Sequence, residues 1–327
     1  MDDPIRADAE RRVARRAAKR RRRARRRAAG IAALAAVAGT AGVAALYARG
    51  DDPPEARRHA DATVTATGRA ADPGTSTTAA TTTTPDASAP PGARRDAVAR
   101  VASVGVPLYR AGGTGRYVAL TFDDGPGPYT ETTIATLRRY GARATFFVNG
   151  TSMQRFPDVL RAEARSGGTV ELASHTWAHL YLPGLSPDAA WTQQADTAAY
   201  LRRATGRAPT LMRPPYGAHT PDLQRRLNAQ GTVMVLWDID SEDSAGASWD
   251  AMLPRLKREI RPGSIVLMHE NRGQTQKVVN RLVPYLAKRG WKMVTVSELL
   301  ALSPPARGSL LREADARAGT RTGISYR

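Results

Sequence analysis

Five short clusters of polar residues stand at the ends of apolar runs, and their residue types suit hydrolysis around a divalent ion. The first reads Leu-Thr-Phe-Asp-Asp-Gly-Pro, from Leu120 to Pro126. Adjacent carboxylates repel unless something positive separates their roles, and an ion on one would leave the other as a base. Side chains alternate along a strand, so Asp123 and Asp124 can share a cleft only if the turn at Gly125-Pro126 aims them there. His175 and His179 are four residues apart, the spacing of one helical turn, so both imidazoles can face one point. Two imidazoles plus the Asp124 carboxylate leave open positions on a divalent ion, as hydrolytic metals require.

Arg213-Pro214-Pro215-Tyr216-Gly217 follows a short apolar run. The prolines stiffen that loop, so the guanidinium and the Tyr216 N–H are expected to be held in place. An arginine near Asp123 would favour the ionised carboxylate and orient it as a base. Asp240 and Asp243 follow a run over 232–239, and Leu267-Met268-His269 ends another. A carboxylate beside an imidazole raises its pKa and fixes its tautomer, which suits a general acid. His219 is expected outside the ligand set, and His59 has no assigned role. Cysteine is absent, which excludes thiol catalysis and a disulfide framework.

The elements that must position these groups alternate strand and helix. Runs at 117–122, 144–148, 169–173, 210–212, 232–239, 264–268 and 292–296 read as strands. Helical spacing covers 130–140, ending at Gly141, and 157–165; Ser186-Pro187 opens a further, long helix. Such alternation argues for a parallel α/β sheet or barrel. The segment 108–302 is short for a complete eight-fold barrel of ~250 residues, so a distorted or incomplete (β/α) barrel is expected. Parallel barrels place chemistry at the carboxyl ends of strands, where these polar clusters fall.

The motifs Thr121-Phe122-Asp123-Asp124-Gly125-Pro126, His175-x-x-x-His179, Arg213-Pro214-Pro215-Tyr216, Asp240-x-x-Asp243 and Leu267-Met268-His269 resemble the five ordered motifs of the polysaccharide deacetylase family. This is the NodB-homology domain, or carbohydrate esterase family 4, and the similarity covers 116–302. The resemblance implies a metal-dependent hydrolase that removes N-acetyl groups from a cell-wall hexosamine polymer. Peptidoglycan N-acetylglucosamine is the expected substrate; chitin-like oligomers, O-acetylated sugars and a non-catalytic glycan-binding role are the alternatives. By motif, Asp123 resembles the catalytic base, and Asp124, His175 and His179 the ligands of a divalent ion, with zinc expected and cobalt or another divalent ion as alternatives. Arg213 resembles the residue that tunes the base, the Tyr216 backbone N–H an oxyanion donor, and His269 the general acid supported by Asp240. Leu267 would help wall the acetyl pocket. The family's fourth motif usually ends in Trp where Ser244 stands, so either that wall comes from elsewhere, with Trp237 and Trp249 as candidates, or the pocket is more open. Glu270 stands where Asp often follows the histidine.

The 327-residue chain carries a net charge of +19. Its densest basic cluster lies in 1–27, directly before an uncharged apolar run at 28–48, long enough to cross a bilayer core of ~30 Å as a helix. That order predicts a membrane anchor with its basic end in the cytoplasm and the remainder outside, the alternative being a cleaved signal peptide. The charge therefore points to topology and anionic lipid, and no specific nucleic-acid partner is expected. Residues 49–107, rich in Thr, Ala and Pro, read as a disordered linker, and 303–327 as a flexible basic tail. A monomer is expected.

Overall fold

Nine residues at Tyr117–Gly125 form strand β1, in the middle of a parallel sheet. The structure is a computed structural model that describes residues 89–320. In β1, Val118, Leu120 and Phe122 face one layer of core, while Ala119, Thr121 and Asp123 face the other way and are equally buried. A parallel strand covered on both faces needs this near-continuous burial. On one side of β1 come β2 (Ala144–Val148), β3 (Val170–Ser174), β4 (Leu211–Met212) and β5 (Val233–Met234). On the other side lie β7 (Ile265–His269) and then β6 (Ile239–Asp240), and β8 (Lys292–Met293) pairs with the start of β1.

The order β5-β4-β3-β2-β1-β7-β6 puts two strands consecutive in the chain at opposite edges of the sheet, joined only by residues 235–238. Five Cα steps reach at most about 18 Å. Seven strands laid flat would set their edges about 29 Å apart. The sheet therefore curls until its edges face each other. Leu108 fills part of the opening: it pairs with Val235, and the Leu236 N–H donates to its carbonyl at 2.7 Å. This is the distorted, incomplete barrel that the strand–helix alternation predicts.

Helices at Thr130–Arg139 and Gly273–Lys288 cover the outer face of β1 through Ile134, Leu137, Val279 and Leu282. The expected cap at Ser186 forms, its hydroxyl accepting from the Ala189 N–H at 3.2 Å at the start of Pro187–Thr205.

Three expectations are corrected. The apolar run at 232–239 is not one strand but two, β5 and β6, because its middle crosses the barrel opening. The linker expected through residue 107 is helical over Pro91–Ala102, whose Ala97, Val98, Val101 and Ala102 pack with Leu108, Ala119 and Phe147. Its Arg94 donates to Glu298 at 3.2 Å. The expected loose tail forms a helix at Arg307–Thr320 with Leu310 buried in the same cluster. The basic segment 1–27, the span expected at 28–48 and most of the linker lie outside the described residues. Among the described residues, no helix is long and apolar enough to cross a membrane.

Candidate active site

Strand alternation carries Asp123 to the concave face in line with Thr121, and the register sets Thr121 beside Leu267 and Asp123 beside His269. Continued alternation would turn Asp124 outward. Instead the pairing with β2 slips between Asp123 and Gly125, and Asp124 adopts φ 71°. This bulge swings the second carboxylate toward the same cleft. The Ser152 hydroxyl holds the Asp124 carbonyl at 3.0 Å, and the Asn149 N–H holds that of Gly125 at 3.0 Å.

His175 and His179 meet Asp124, though not by a helical turn as their spacing suggests. Residues 175–179 form a loop in which Thr176 has φ 68° and His179 φ 54°. The loop is fixed by three hydrogen bonds to two segments. Gly150 and Thr151 N–H groups donate to the carbonyls of Thr176 and Trp177 at 3.1 and 3.0 Å, and Ala178 N–H donates to Gln193 Oε1 at 2.9 Å. Gly150 must lack a side chain, because a Cβ there would fall 2.2 Å from the Trp177 ring. All five non-glycine residues with positive φ among the described residues (Asp124, Thr176, His179, Tyr216 and Glu242) lie in or beside the polar clusters. Strain of about 1–3 kcal/mol each persists only where the surroundings dictate it, as at functional sites.

Asp124 Oδ1 lies 3.7 Å from His175 Nε2 and 3.4 Å from His179 Nε2, and the three donor atoms all fall within 4.8 Å of one another. Ligands about 2.1 Å from a tetrahedral ion stand about 3.4 Å apart, so the set fits a divalent cation such as zinc. His175 Nδ1 meets the Arg213 carbonyl at 2.8 Å, which assigns the proton to Nδ1 and leaves Nε2 as the ligand atom. Burial, reinforced by His175, holds the His179 imidazole below its ordinary pKa, as ligation requires. Burial works against the Asp124 charge, but His175, His179 and His269 outweigh it and hold this carboxyl below its usual value.

Arg213 is fully buried and donates through Nη1 to Asp123 Oδ1 at 2.7 Å and to Thr121 Oγ1 at 2.9 Å. Its Nε and Nη2 donate to the carbonyls of Val235 and Leu236, both at 3.2 Å, and its plane stacks over Phe147. Burial lowers its pKa, and Asp123 opposes that shift. The other Asp123 oxygen, Oδ2, lies 3.7 Å from His175 Nε2 and faces the ligand set.

The carboxylate that supports His269 is Asp243, which corrects the expected pairing with Asp240. Asp243 Oδ1 lies 2.7 Å from His269 Nδ1, its Oδ2 accepts from the His269 N–H at 2.8 Å, and the Thr275 hydroxyl also bonds to Oδ2. Asp240 turns instead to the Glu242 N–H at 2.7 Å. Burial disfavours the His269 imidazolium, but the Asp243 hydrogen bond and charge overcome it and raise the pKa to about 9. Thr275 is not legible as a site residue from the sequence; Thr121 has two signals, its place at the head of the first motif and the strand face that it shares with Asp123.

Leu267 sits on the concave face beside Thr121. Trp237 packs against Arg213, 5.6 Å from its guanidinium, and against Gly217. Trp249 stacks with Arg281 and packs against the outer core. Of the two tryptophans named for the wall at Ser244, Trp237 lies beside Arg213 and Gly217, whereas Trp249 lies on the outer side of the sheet. His219 bonds to the Gly217 carbonyl at 3.3 Å and lies outside the Asp-His-His set.

Residues 110–235 match the Polysaccharide deacetylase family. The peptidoglycan-N-acetylmuramic acid deacetylase PdaC of Bacillus subtilis is 33% identical over 185 residues, which are 56% of this chain and 38% of PdaC. The chain thus spans well under half the length of that relative. A peptidoglycan-N-acetylglucosamine deacetylase of Bacillus cereus is 33% identical over 191 residues, 57% of this chain and 88% of that protein. The crystal structure of the Bc1960 peptidoglycan N-acetylglucosamine deacetylase superposes with a TM-score of 0.57 at 28% identity, covering 62% of this chain and 95% of that one. With the shorter relative matched along nearly its whole length at this identity, the chain belongs to the polysaccharide deacetylase family.

Proposed function

We propose that the protein hydrolyses N-acetyl groups of a cell-wall hexosamine polymer, with peptidoglycan N-acetylglucosamine as the substrate and zinc on Asp124, His175 and His179. The observation that carries this reading is the division of labour at Asp123. One oxygen is committed to Arg213, while the other, Oδ2, faces the ligand set. Such a carboxylate is placed to take a proton from water held there.

When bound, the divalent ion supplies Lewis-acid polarisation of the acetyl carbonyl and makes water acidic enough to attack near neutral pH. Asp123 Oδ2 receives the proton of the attacking water. The Tyr216 N–H, held by a residue at φ 60° between Pro215 and Gly217, is offered to the developing oxyanion. His269 delivers its Nε2 proton to the departing nitrogen, because Nδ1 is engaged by Asp243. Leu267 and Trp237 enclose the acetyl methyl group.

As a proton donor, His269 works below its pKa and fails above it. Turnover therefore persists through neutral pH and falls as pH rises through the His269 value, about 9 without an ion and lower with a cation beside Asp124. Asp243→Asn removes the charge that helps raise this pKa and leaves one acceptor for the two His269 N–H groups, so the alkaline limb of the pH–rate profile moves to lower pH. The same change lowers kcat by about a hundredfold. Asp240→Asn shifts the limb less; an equal or larger shift would restore Asp240 as the supporting residue.

Acetate release from purified peptidoglycan and from chito-oligosaccharides, with and without chelator, tests the reading directly. The expected result is faster release from peptidoglycan, loss of release on chelation and recovery with added zinc. A zinc-loaded protein that releases no acetate from either glycan would be a binding protein. The apolar run at 28–48 supports a further part of the proposal, that the protein is anchored in the membrane and works outside it. Its recovery in the soluble fraction of broken cells would count against that.

A further inference from the structure

Strand β3 pairs with β2 along its whole length but meets β4 only where Ser174 faces Met212. Residues 207–210, which lead into β4, stand off from the remaining edge and line a cavity of about 830 Å³ instead. Among the described residues, Val170–Ala173 therefore has no strand opposite it on the β4 side, although β3 lies inside the sheet. This notch is at the amino-terminal end of β3, the pole opposite the catalytic clusters. The Ser174 carbonyl accepts from the Arg213 N–H at 2.9 Å, and backbone groups of alternate residues along a strand point the same way. The N–H and C=O of Leu172 thus point into the notch. The Val170 N–H points there too and is taken by the Ser166 hydroxyl at 3.1 Å.

The two walls beside this edge differ in chemistry. On the outer side, Val170 and Leu172 are half-buried and join Leu201 in an apolar wall. On the other side, where Glu171 points, the helix Pro91–Ala102 brings Arg94 and Arg95 to the cavity, and Arg207 stands at its rim. Arg94 is paired with Glu298, whereas Arg95 and Arg207 are exposed. Glu171 is the acid on the cavity wall, and its Oε2 is engaged by the Thr145 hydroxyl and the Ser297 N–H at 2.8 and 3.2 Å. A bare strand edge is a template for another strand. Four residues of edge span only about 13 Å, room for one extended segment and not for the edge of a second sheet. We propose that the notch docks an extended acidic peptide segment of a partner protein, which adds to β3 as a short strand. Main-chain hydrogen bonds to Leu172 give the affinity, and the two walls read alternate side chains. Apolar ones meet Val170, Leu172 and Leu201, and acidic ones meet Arg95 and Arg207.

The test follows amide hydrogen exchange at Leu172 by NMR in the full-length protein in detergent micelles, with a pentapeptide alternating aspartate and valine as the probe. A residue-specific readout separates the notch from the basic segment 1–27, which also attracts acidic peptides. Saturating peptide slows exchange at Leu172 about tenfold, while Ala173, whose N–H faces β2, does not change. The same peptide N-methylated at every residue keeps its charge, cannot pair as a strand and gives no protection. Arg95→Glu with Arg207→Glu, two exposed positions, raises the peptide concentration for half-protection about tenfold. No slowing at Leu172, or equal slowing by the N-methylated peptide, overturns strand addition. Equal protection by a lysine–valine peptide, or unchanged affinity in the double variant, overturns the acidic partner. A Leu172 amide already protected before peptide is added places another segment of the chain or a second copy in the notch, and overturns the proposal as well. Dependence of that protection on protein concentration tells those two apart.

Discussion

Asp123→Asn lowers kcat by about a hundred- to ten-thousandfold while zinc stays bound. The amide has nearly the shape of the carboxylate and can still accept from Arg213 Nη1, so the bond at 2.7 Å survives. What it cannot do is take a proton at the position of Oδ2, 3.7 Å from His175 Nε2. Asp124, His175 and His179, the three residues grouped so that they could hold an ion, are not altered. Metal content by elemental analysis should equal wild type, and the lost activity should appear in kcat with KM little changed. A variant that keeps its rate would remove Asp123 as the base, and one that loses zinc would assign it to the ion.

Arg213→Met costs about 3–5 kcal/mol of stability, measured by denaturant unfolding, because it leaves the Asp123 carboxylate buried without its counter-charge. The substitution also strips hydrogen bonds from Thr121, Val235 and Leu236. Those last two residues lie in the segment that crosses the barrel opening, so Arg213 ties the strand end bearing Asp123 to the closure of the sheet. Adding Asp123→Asn to Arg213→Met should recover part of the lost stability, since no buried charge then stands alone, while activity stays absent. If the double variant is less stable by the sum of the two single losses, the pair is not coupled and this account of the site's core is wrong.

The two departures from the usual motifs, Ser244 and Glu270, stand in opposite surroundings, one exposed and one buried. Ser244 is exposed, and Trp237 lies beside Arg213 in the barrel crossing. Glu270 is buried against Gly125, where a Cβ would sit 1.4 Å from Glu270 Oε1, and it bonds to the Thr130 hydroxyl. Burial, with Asp124 and Asp123 nearby, raises its pKa to about 8 despite the Thr130 bond. This larger acid thus braces the turn that carries the two aspartates, and the space it needs explains why that turn has glycine.

Local sequence carried much of this molecule. Apolar alternation in Tyr117–Gly125 set which side of β1 Asp123 would face, the strand–helix succession implied a parallel curled sheet, and the polar residues after each run named the site. Short-range order was also enough for the Ser186 cap. These features depend on neighbours a few residues apart, and side-chain periodicity reports them. Other features were settled only in three dimensions. Asp124 faces its partner because of a bulge and a left-handed backbone; His175 and His179 converge through a strained loop rather than a helical turn. Asp243 rather than Asp240 reaches His269 because of where β6 meets β7 after the chain crosses the opening. The helix at Pro91–Ala102, poor in large apolar residues, is held by a core it helps to complete. In each case the deciding contact joins segments distant in sequence, and only packing, which sums over the whole fold, chooses among the options that local pattern leaves open.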